Sequence, residues 1–296
     1  MKKLIFKGSG VALVTPMKND GSVDYDVLGE LIDFHIANGT DAIIACGTTG
    51  ECAVLSHDEH CEAVKFMIDR VNKRIPVIAS SGSNDTRYAL ELSRSMQEIG
   101  ADGLLMVTPY YNKTSQAGLV KHYTYIADRV DVPIIVYNVP SRTGCNIKPE
   151  TYLELSKHPN INAAKEANGD ISSVAKTISL CGENLHVYSG NDDQTLPMLV
   201  LGGKGVISVL ANILPGVMHK LCADYFAGDL ASSRDAFLKN IELMEAMFMD
   251  VNPIPIKAAM KMLGFKSGDC RLPLTEMSSE ALAKLTALLK KYELLK

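Results

Sequence analysis

Asp41-Ala-Ile-Ile-Ala-Cys46-Gly-Thr-Thr-Gly-Glu51 is the stretch that decides the fold. From Ala42 to Cys46 no polar residue interrupts it. A strand with one face in water alternates polar and apolar residues. A strand buried on both faces is apolar throughout, as in a parallel sheet covered by helices. Gly47-Thr-Thr-Gly50 then ends the run and starts a turn.

The same pattern recurs on either side. Apolar strand-like runs lie at Val11–Val14 (stopped by Pro16), Ile75–Ser80, Gly103–Val107, Val132–Tyr137, Ile161 to Lys165, Leu185–Tyr188 and Gly205–Val209. Helical patterns separate them. Asp24 caps one with Leu28, Leu31, Ile32 and His35 at helical spacing, and Ser56-His-Asp-Glu59 is a capping box. Further helices run from Asn84 to Ile99 and from Ser115 or Gln116 to about Arg129. Pro149 takes the favoured first-turn position of another. Asp170 caps a helix, and Asp192 or Asp193 caps the one that ends near Leu201.

Eight strands alternating with helices predict an α/β fold, a (β/α)₈ TIM barrel. An open doubly wound sheet is the competing architecture. Its glycine fingerprint is missing, because Gly8-Ser-Gly10 precedes the first strand core and does not follow it. After Leu214 only helices are predicted: Pro215–Phe226, Leu230–Asp250, Ile254–Leu263 and Ser278–Tyr292. The expected organisation is a barrel catalytic domain over residues 1–225 and a C-terminal helical domain over 226–296.

Composition excludes several classes. The 296 residues are 47% hydrophobic and 22% charged, with a net charge of −4. No Lys/Arg-rich block suggests nucleic-acid binding, and no apolar run is long enough to span a membrane. The first residues lack the apolar core and cleavage site of a secretory signal, so a cytoplasmic protein is expected. Seven cysteines without a C-x-x-C pair argue against a disulfide framework and a zinc ribbon. Cys145 stands close to a candidate site arginine.

In a (β/α)₈ barrel the chemistry sits where strands end. The second strand ends at Thr48 and Thr49, the fourth at Tyr110 and Tyr111, and the fifth at Tyr137 and Arg142. The sixth ends at Lys165, the seventh at Gly190, and the eighth carries Ile207. A lysine buried at a barrel mouth must find a partner or lose its proton. Ion pairing with Glu166 is one reading. A neutral nucleophilic amine is the other, and its chemistry is imine formation with a keto group. The imine acts as an electron sink: the adjacent carbon loses a proton, and the enamine attacks a second carbonyl. Tyrosine and threonine hydroxyls can relay those protons. The Gly-Thr-Thr-Gly turn can hold a carboxylate on its backbone N–H groups. Arg142 can take another as a bidentate fork. This chemistry calls for no cofactor and no metal.

Each motif also has a plainer explanation. Gly47–Gly50 fits an ordinary βα turn, Tyr110 and Tyr111 fit loop anchors, and Arg142 fits a surface cation. Their joint location around one lysine favours the site. His57 and His60 are three apart, lack the H-E-x-x-H spacing, and are accounted for by the helix start at Ser56. A metal-dependent aldolase or hydrolase built on them is the rival from another class. A non-catalytic amino-acid-binding barrel is a third reading, and it leaves Lys165 without a purpose. Asn191-Asp-Asp193 reads as a helix cap, not a Mg²⁺ site.

These motifs resemble the 4-hydroxy-tetrahydrodipicolinate synthases, also called dihydrodipicolinate synthases. They are pyruvate-dependent aldolases related to N-acetylneuraminate lyase. The similarity runs from Gly8-Ser-Gly-Val-Ala12 to Arg271-Leu-Pro-Leu274. Gly47-Thr-Thr-Gly-Glu51 and Lys165 resemble the wider superfamily. Thr108-Pro-Tyr-Tyr-Asn112, Tyr137-Asn-Val-Pro-Ser-Arg-Thr-Gly144, Ser189-Gly-Asn-Asp192 and Gly205-Val-Ile-Ser-Val209 resemble the synthases more specifically.

The resemblance implies an imine of pyruvate on Lys165. It implies a relay through Thr48, Tyr137 and Tyr111, the last reaching in from a neighbouring subunit. Thr49 and Ile207 would hold the pyruvate carboxylate through backbone groups, and Gly190 would line the site. Arg142 would bind L-aspartate 4-semialdehyde. The pathway implied is the diaminopimelate route to lysine, and the assembly a homotetramer built as a dimer of dimers. The same-fold alternative, an aldolase of 2-keto-3-deoxy sugar acids or N-acetylneuraminate, is disfavoured by Arg142.

Lysine-inhibited relatives share an effector set that here reads Ala53, His57, His60, Asn84 and Tyr110. They usually carry a glutamate where this chain has Tyr88, and a serine where it has Cys52. Without that carboxylate the effector's ammonium loses its partner. Weak or no inhibition by lysine is therefore expected in a steady-state titration, and a steep fall in activity at submillimolar lysine would contradict this.

Overall fold

The computed structural model describes residues 2–295. Eight parallel strands close into a barrel in sequence order. They are β1 (Gly8–Ala12), β2 (Ala42–Ala45), β3 (Val77–Ser80), β4 (Gly103–Val107), β5 (Ile134–Asn138), β6 (Ile161–Glu166), β7 (His186–Ser189) and β8 (Gly205–Ser208). The (β/α)₈ architecture read from the apolar runs is the one found, and β1 pairs with β8 to complete the ring. The helices Tyr25–Ala37, His57–Val71, Thr86–Ile99 and Gln116–Ala127 begin at the side-chain caps Asp24, Ser56, Asp85 and Ser115. Both arms of the capping box at Ser56 and Glu59 are made.

Three local expectations are corrected. β1 starts at Gly8, earlier than the Val11 expected, because Gly8-Ser-Gly10 already pairs with Gly205–Ile207 of β8. Glycine is needed there: Gly8 has φ +116° and a Cβ on it would lie 2.2 Å from the Asp41 carboxylate. The second difference is that Asp192 caps no helix. Residues Asp192–Gln194 form a 3₁₀ turn, and the helix Thr195–Val200 follows without a side-chain cap. The third is that Arg142 sits on a short helical turn, Pro140–Thr143, inside what reads as a loop.

Alternation along the strands divides the core in two. The barrel interior holds Ala12, Ile44, Ile78, Leu105, Ile135, Ala163 and Ile207, floored by Phe6 stacked on Tyr188 at 4.2 Å. The outer layer, between strands and helices, is continuous from Leu28 and Ile32 to Leu285 and Leu289. The helix Pro215–Ala227 packs on β1 as the eighth barrel helix. The helices Leu230–Ala246, Ile254–Met262 and Ser279–Lys291 follow and share that outer core.

A buried ion pair helps tie this extension to the barrel. Lys257 Nζ meets Glu51 Oε1 at 2.5 Å, with the two side chains 2% and 0% exposed. The Asp269 carbonyl accepts a second hydrogen bond from Lys257, and the Arg271 N–H donates to the other Glu51 oxygen. A buried pair is tolerated when its remaining hydrogen-bonding capacity is filled in this way, and losing one partner typically costs about 3–5 kcal/mol. Glu51 ends the Gly-Thr-Thr-Gly turn, so the extension fixes a strand-end loop.

Candidate active site

β6 carries Lys165 to the mouth of the barrel, in register with Tyr137 on β5 and Tyr188 on β7. Its nitrogen lies 4.2 Å from the centre of the Tyr137 ring. The residue is 6% exposed. Glu166, the carboxylate next in sequence, points to the opposite face of the strand. There it accepts from Asn138 Nδ2 at 2.9 Å, Tyr152 Oη at 2.8 Å and the Asn168 N–H at 3.0 Å. The ion-pair reading of Lys165 with Glu166 is thereby excluded: Glu166 is turned away and fully engaged.

Burial therefore acts on Lys165 without a direct counter-ion. Desolvation lowers the amine to about 7, the charge of Asp192 pulls it up, and Arg142 pulls it further down. Near pH 7 roughly half of such an amine is neutral, against about one part in three thousand for an unperturbed lysine.

A cavity of about 340 Å³ opens above the amine. It brings together Thr48, Thr49, Tyr137, Arg142, Lys165 and Gly190. Burial pushes the Tyr137 phenol up to about 12, against the pull of Arg142 and of the Thr48 side chain. The phenol thus keeps its proton at neutral pH and can both give and take one. Thr48 and Thr49 sit on a turn flanked by two left-handed residues, Cys46 at φ 49° and Glu51 at φ 58°. Non-glycine residues hold that conformation only under constraint, and the Lys257 pair supplies it. Gly190 has to be small, because a Cβ would fall 2.8 Å from that of Ala167 and 3.1 Å from Cε of Lys165.

Two predicted site residues lie outside this cavity. The Ile207 side chain packs in the inner core and does not line the cavity, whereas Val209, two residues on, does. Tyr111 is 85% exposed, with φ 68° on the loop after β4. Cys145 is buried, its thiol 3.9 Å from the Thr114 carbonyl.

Several contributors were not foreseen. Phe248, Asp250, Val251 and Asn252 reach the cavity from the loop between the first two extension helices. Asn252 bridges the site: its Nδ2 donates to Thr49 Oγ1 at 3.0 Å, and its carbonyl accepts from Arg142 Nη2 at 3.2 Å. The clustered Pro253 and Pro255 marked that loop, but nothing local marked its destination. Asp192 is the other surprise. One carboxylate oxygen accepts from the N–H groups of Val209 and Leu210, both at 2.9 Å, and clamps the end of β7 to that of β8. Burial raises its pKa.

The proposed effector residues gather elsewhere. His57 Nδ1 is 3.5 Å from the Tyr88 hydroxyl, and Asn84 donates to the Tyr110 carbonyl at 3.4 Å. Ala53 is exposed. His60 is buried, and desolvation lowers it to about 4, so it is neutral at pH 7. Among the described residues no group of three or more His, Cys, Asp or Glu is placed to hold a metal ion.

A family model described as the dihydrodipicolinate synthetase family matches residues 5–292. The chain belongs to this family. It is 54% identical over 293 residues to the 4-hydroxy-tetrahydrodipicolinate synthase of Thermoanaerobacter sp. (strain X514), covering 99% of this chain and 98% of that one. The crystal structure of dihydrodipicolinate synthase from Aquifex aeolicus superimposes with a TM-score of 0.95 at 46% identity, covering 98% of this chain and 99% of that one. The chloride-inhibited dihydrodipicolinate synthase from Acinetobacter baumannii, solved in complex with pyruvate, superimposes with a TM-score of 0.95 at 42% identity. That match covers 98% of this chain and 99% of the Acinetobacter chain.

The lowered amine has a consequence for stability. Between about pH 7 and 10.5 the unfolded chain binds a proton at Lys165 that the folded chain does not, so stability rises with pH across that window. The cost of burying the amine is full below pH 7 and vanishes above the unfolded value. Lys165→Met keeps most of the stem and removes the amine. It is expected to stabilise the fold at pH 7 by on the order of 1–3 kcal/mol, with a smaller gain at alkaline pH. Urea denaturation at several pH values measures this, and a loss of stability at pH 7 would contradict it.

Proposed function

We propose that the protein condenses pyruvate with L-aspartate 4-semialdehyde to give 4-hydroxy-tetrahydrodipicolinate, in the diaminopimelate route to lysine. The observation that carries this reading is an unpaired, desolvated lysine facing a buried tyrosine in a cavity that also holds an arginine. The family membership agrees with it.

The neutral amine of Lys165 attacks the keto carbon of pyruvate, and water leaves to give the imine. Tyr137 and Thr48 carry the protons, completed by Tyr111 of a neighbouring subunit. Thr49 and the backbone near Ile207 hold the pyruvate carboxylate, and Gly190 leaves room for the adduct. Loss of a proton from the methyl carbon gives an enamine, which attacks the aldehyde. The product's own amine then attacks the imine carbon, closing the ring and freeing Lys165. Arg142 holds the carboxylate of the semialdehyde.

The high exposure of Tyr111 supports an assembly that buries it, and we read the protein as a homotetramer built as a dimer of dimers. Residues 1–225 form the catalytic barrel in this reading, and 226–296 a helical domain that braces its mouth. No helix of the described residues is long and apolar enough to cross a membrane, and we place the enzyme in the cytoplasm. The contact of Tyr88 with His57 supports weak or absent lysine inhibition.

Purified enzyme is expected to turn over the two substrates, and Lys165→Ala to abolish turnover. Arg142→Ala is expected to lower kcat/KM for the semialdehyde roughly 100-fold, as loss of a charge-assisted fork would, while KM for pyruvate changes little. Cleavage of N-acetylneuraminate without condensation activity would overturn the assignment in favour of the sugar-acid aldolases.

A further inference from the structure

The cavity is lined by three charged side chains, Arg142, Lys165 and Asp250, and the proposed reaction leaves Asp250 unused. Among the described residues lining it, Asp250 is the only carboxylate. It sits on the same loop as Asn252, whose carbonyl holds Arg142 Nη2 at 3.2 Å. One Asp250 oxygen accepts from the Val251 N–H at 2.6 Å, and the other has no protein partner among the described residues. Arg142 and Asp250 make no ion pair with each other, although both face one cavity. Two loops therefore present a cation and an anion to one cavity, Arg142 from the turn Pro140–Thr143 and Asp250 from the loop after Ala246, with no ion pair between them.

That arrangement fits one chemical class. In an α-amino acid the ammonium nitrogen and the carboxylate carbon are about 2.5 Å apart across one tetrahedral carbon. A cavity lined by both a guanidinium and a carboxylate can engage the two groups at once, each with a charge-assisted hydrogen bond. Polyols and sugar acids lack the ammonium and would gain no charge-assisted hydrogen bond from Asp250. We propose that Asp250 is a specificity residue that binds the α-ammonium of the incoming amino-acid aldehyde while Arg142 binds its α-carboxylate. This rests on the condensation proposed above.

The contact also orders the chemistry. An ammonium has no lone pair and cannot attack a carbonyl. Held against Asp250, the amine stays protonated while the enamine adds to the aldehyde. Once the new carbon–carbon bond forms, the backbone of the adduct turns and the amine leaves the carboxylate. It then gives up its proton to solvent water and attacks the imine carbon, and the bond from that carbon to the Lys165 nitrogen breaks as the ring C=N forms.

The test compares wild-type enzyme with Asp250→Asn at saturating pyruvate. Aspartate 4-semialdehyde is the substrate. The competitor is 4-oxobutanoate, which keeps the carboxylate and the aldehyde and lacks the amine. The expected result is a fall of roughly tenfold or more in kcat/KM for the semialdehyde, with an unchanged inhibition constant for 4-oxobutanoate. Asp250→Ser, which fits the same loop without a charge, is expected to repeat the pattern. Equal weakening of both ligands would overturn the proposal, because Asp250 would then act by shaping the loop that holds Arg142. No change for either ligand would overturn it as well. Pyruvate-dependent labelling of Lys165 in each variant shows that it is folded. If wild-type enzyme itself fails to condense the semialdehyde, the underlying reaction is wrong; if wild type and both variants condense it equally, only the role of Asp250 is wrong.

Discussion

The site depends on keeping a lysine dry and unpaired. A charged amine taken out of water must be compensated or must lose its proton. Here the adjacent carboxylate, Glu166, is turned to the other face of β6 and held by Asn138, Tyr152 and the Asn168 N–H. Strand alternation enforces the separation, since consecutive residues cannot share a face. The carboxylate whose charge pulls the Lys165 amine up is Asp192, and that group is committed to clamping the ends of β7 and β8. Desolvation therefore outweighs attraction, and the amine falls to about 7.

The extension after the barrel makes that geometry hold. Glu51 would be a strained, buried carboxylate without Lys257, and the Thr48–Thr49 turn would lose its anchor. Asn252 then joins Thr49 to Arg142, so the two halves of the site are set by one residue of the extension. Arg271 carries the brace further, pairing with Glu59 at 2.5 Å at the start of the helix that bears His57 and His60. The barrel places the lysine proposed to react, and the extension sets the loops that would hold what reacts with it.

Much of this was legible in the sequence because it is periodic or local. Continuous apolar runs marked the strands, and Asp24, Ser56 and Ser115 marked helix starts by short-range hydrogen bonds. What escaped is non-local. Lys257 and Glu51 are 206 residues apart, and no spacing rule joins them. Asp192 stands where a cap belongs, yet its partners are backbone groups 17 and 18 residues on. The first strand is expected from Val11 because glycine disfavours strands, whereas the close approach of Asp41 and a φ of +116° call for glycine at position 8.

The central claim is that Lys165 is the nucleophile, and trapping its adduct tests that most directly. Enzyme mixed with pyruvate and reduced with borohydride should gain one reduced pyruvate per chain, and peptide mass analysis should place it on Lys165. The yield should rise as pH passes through about 7, following the neutral amine. An unmodified Lys165, or a label on another lysine, would contradict the account.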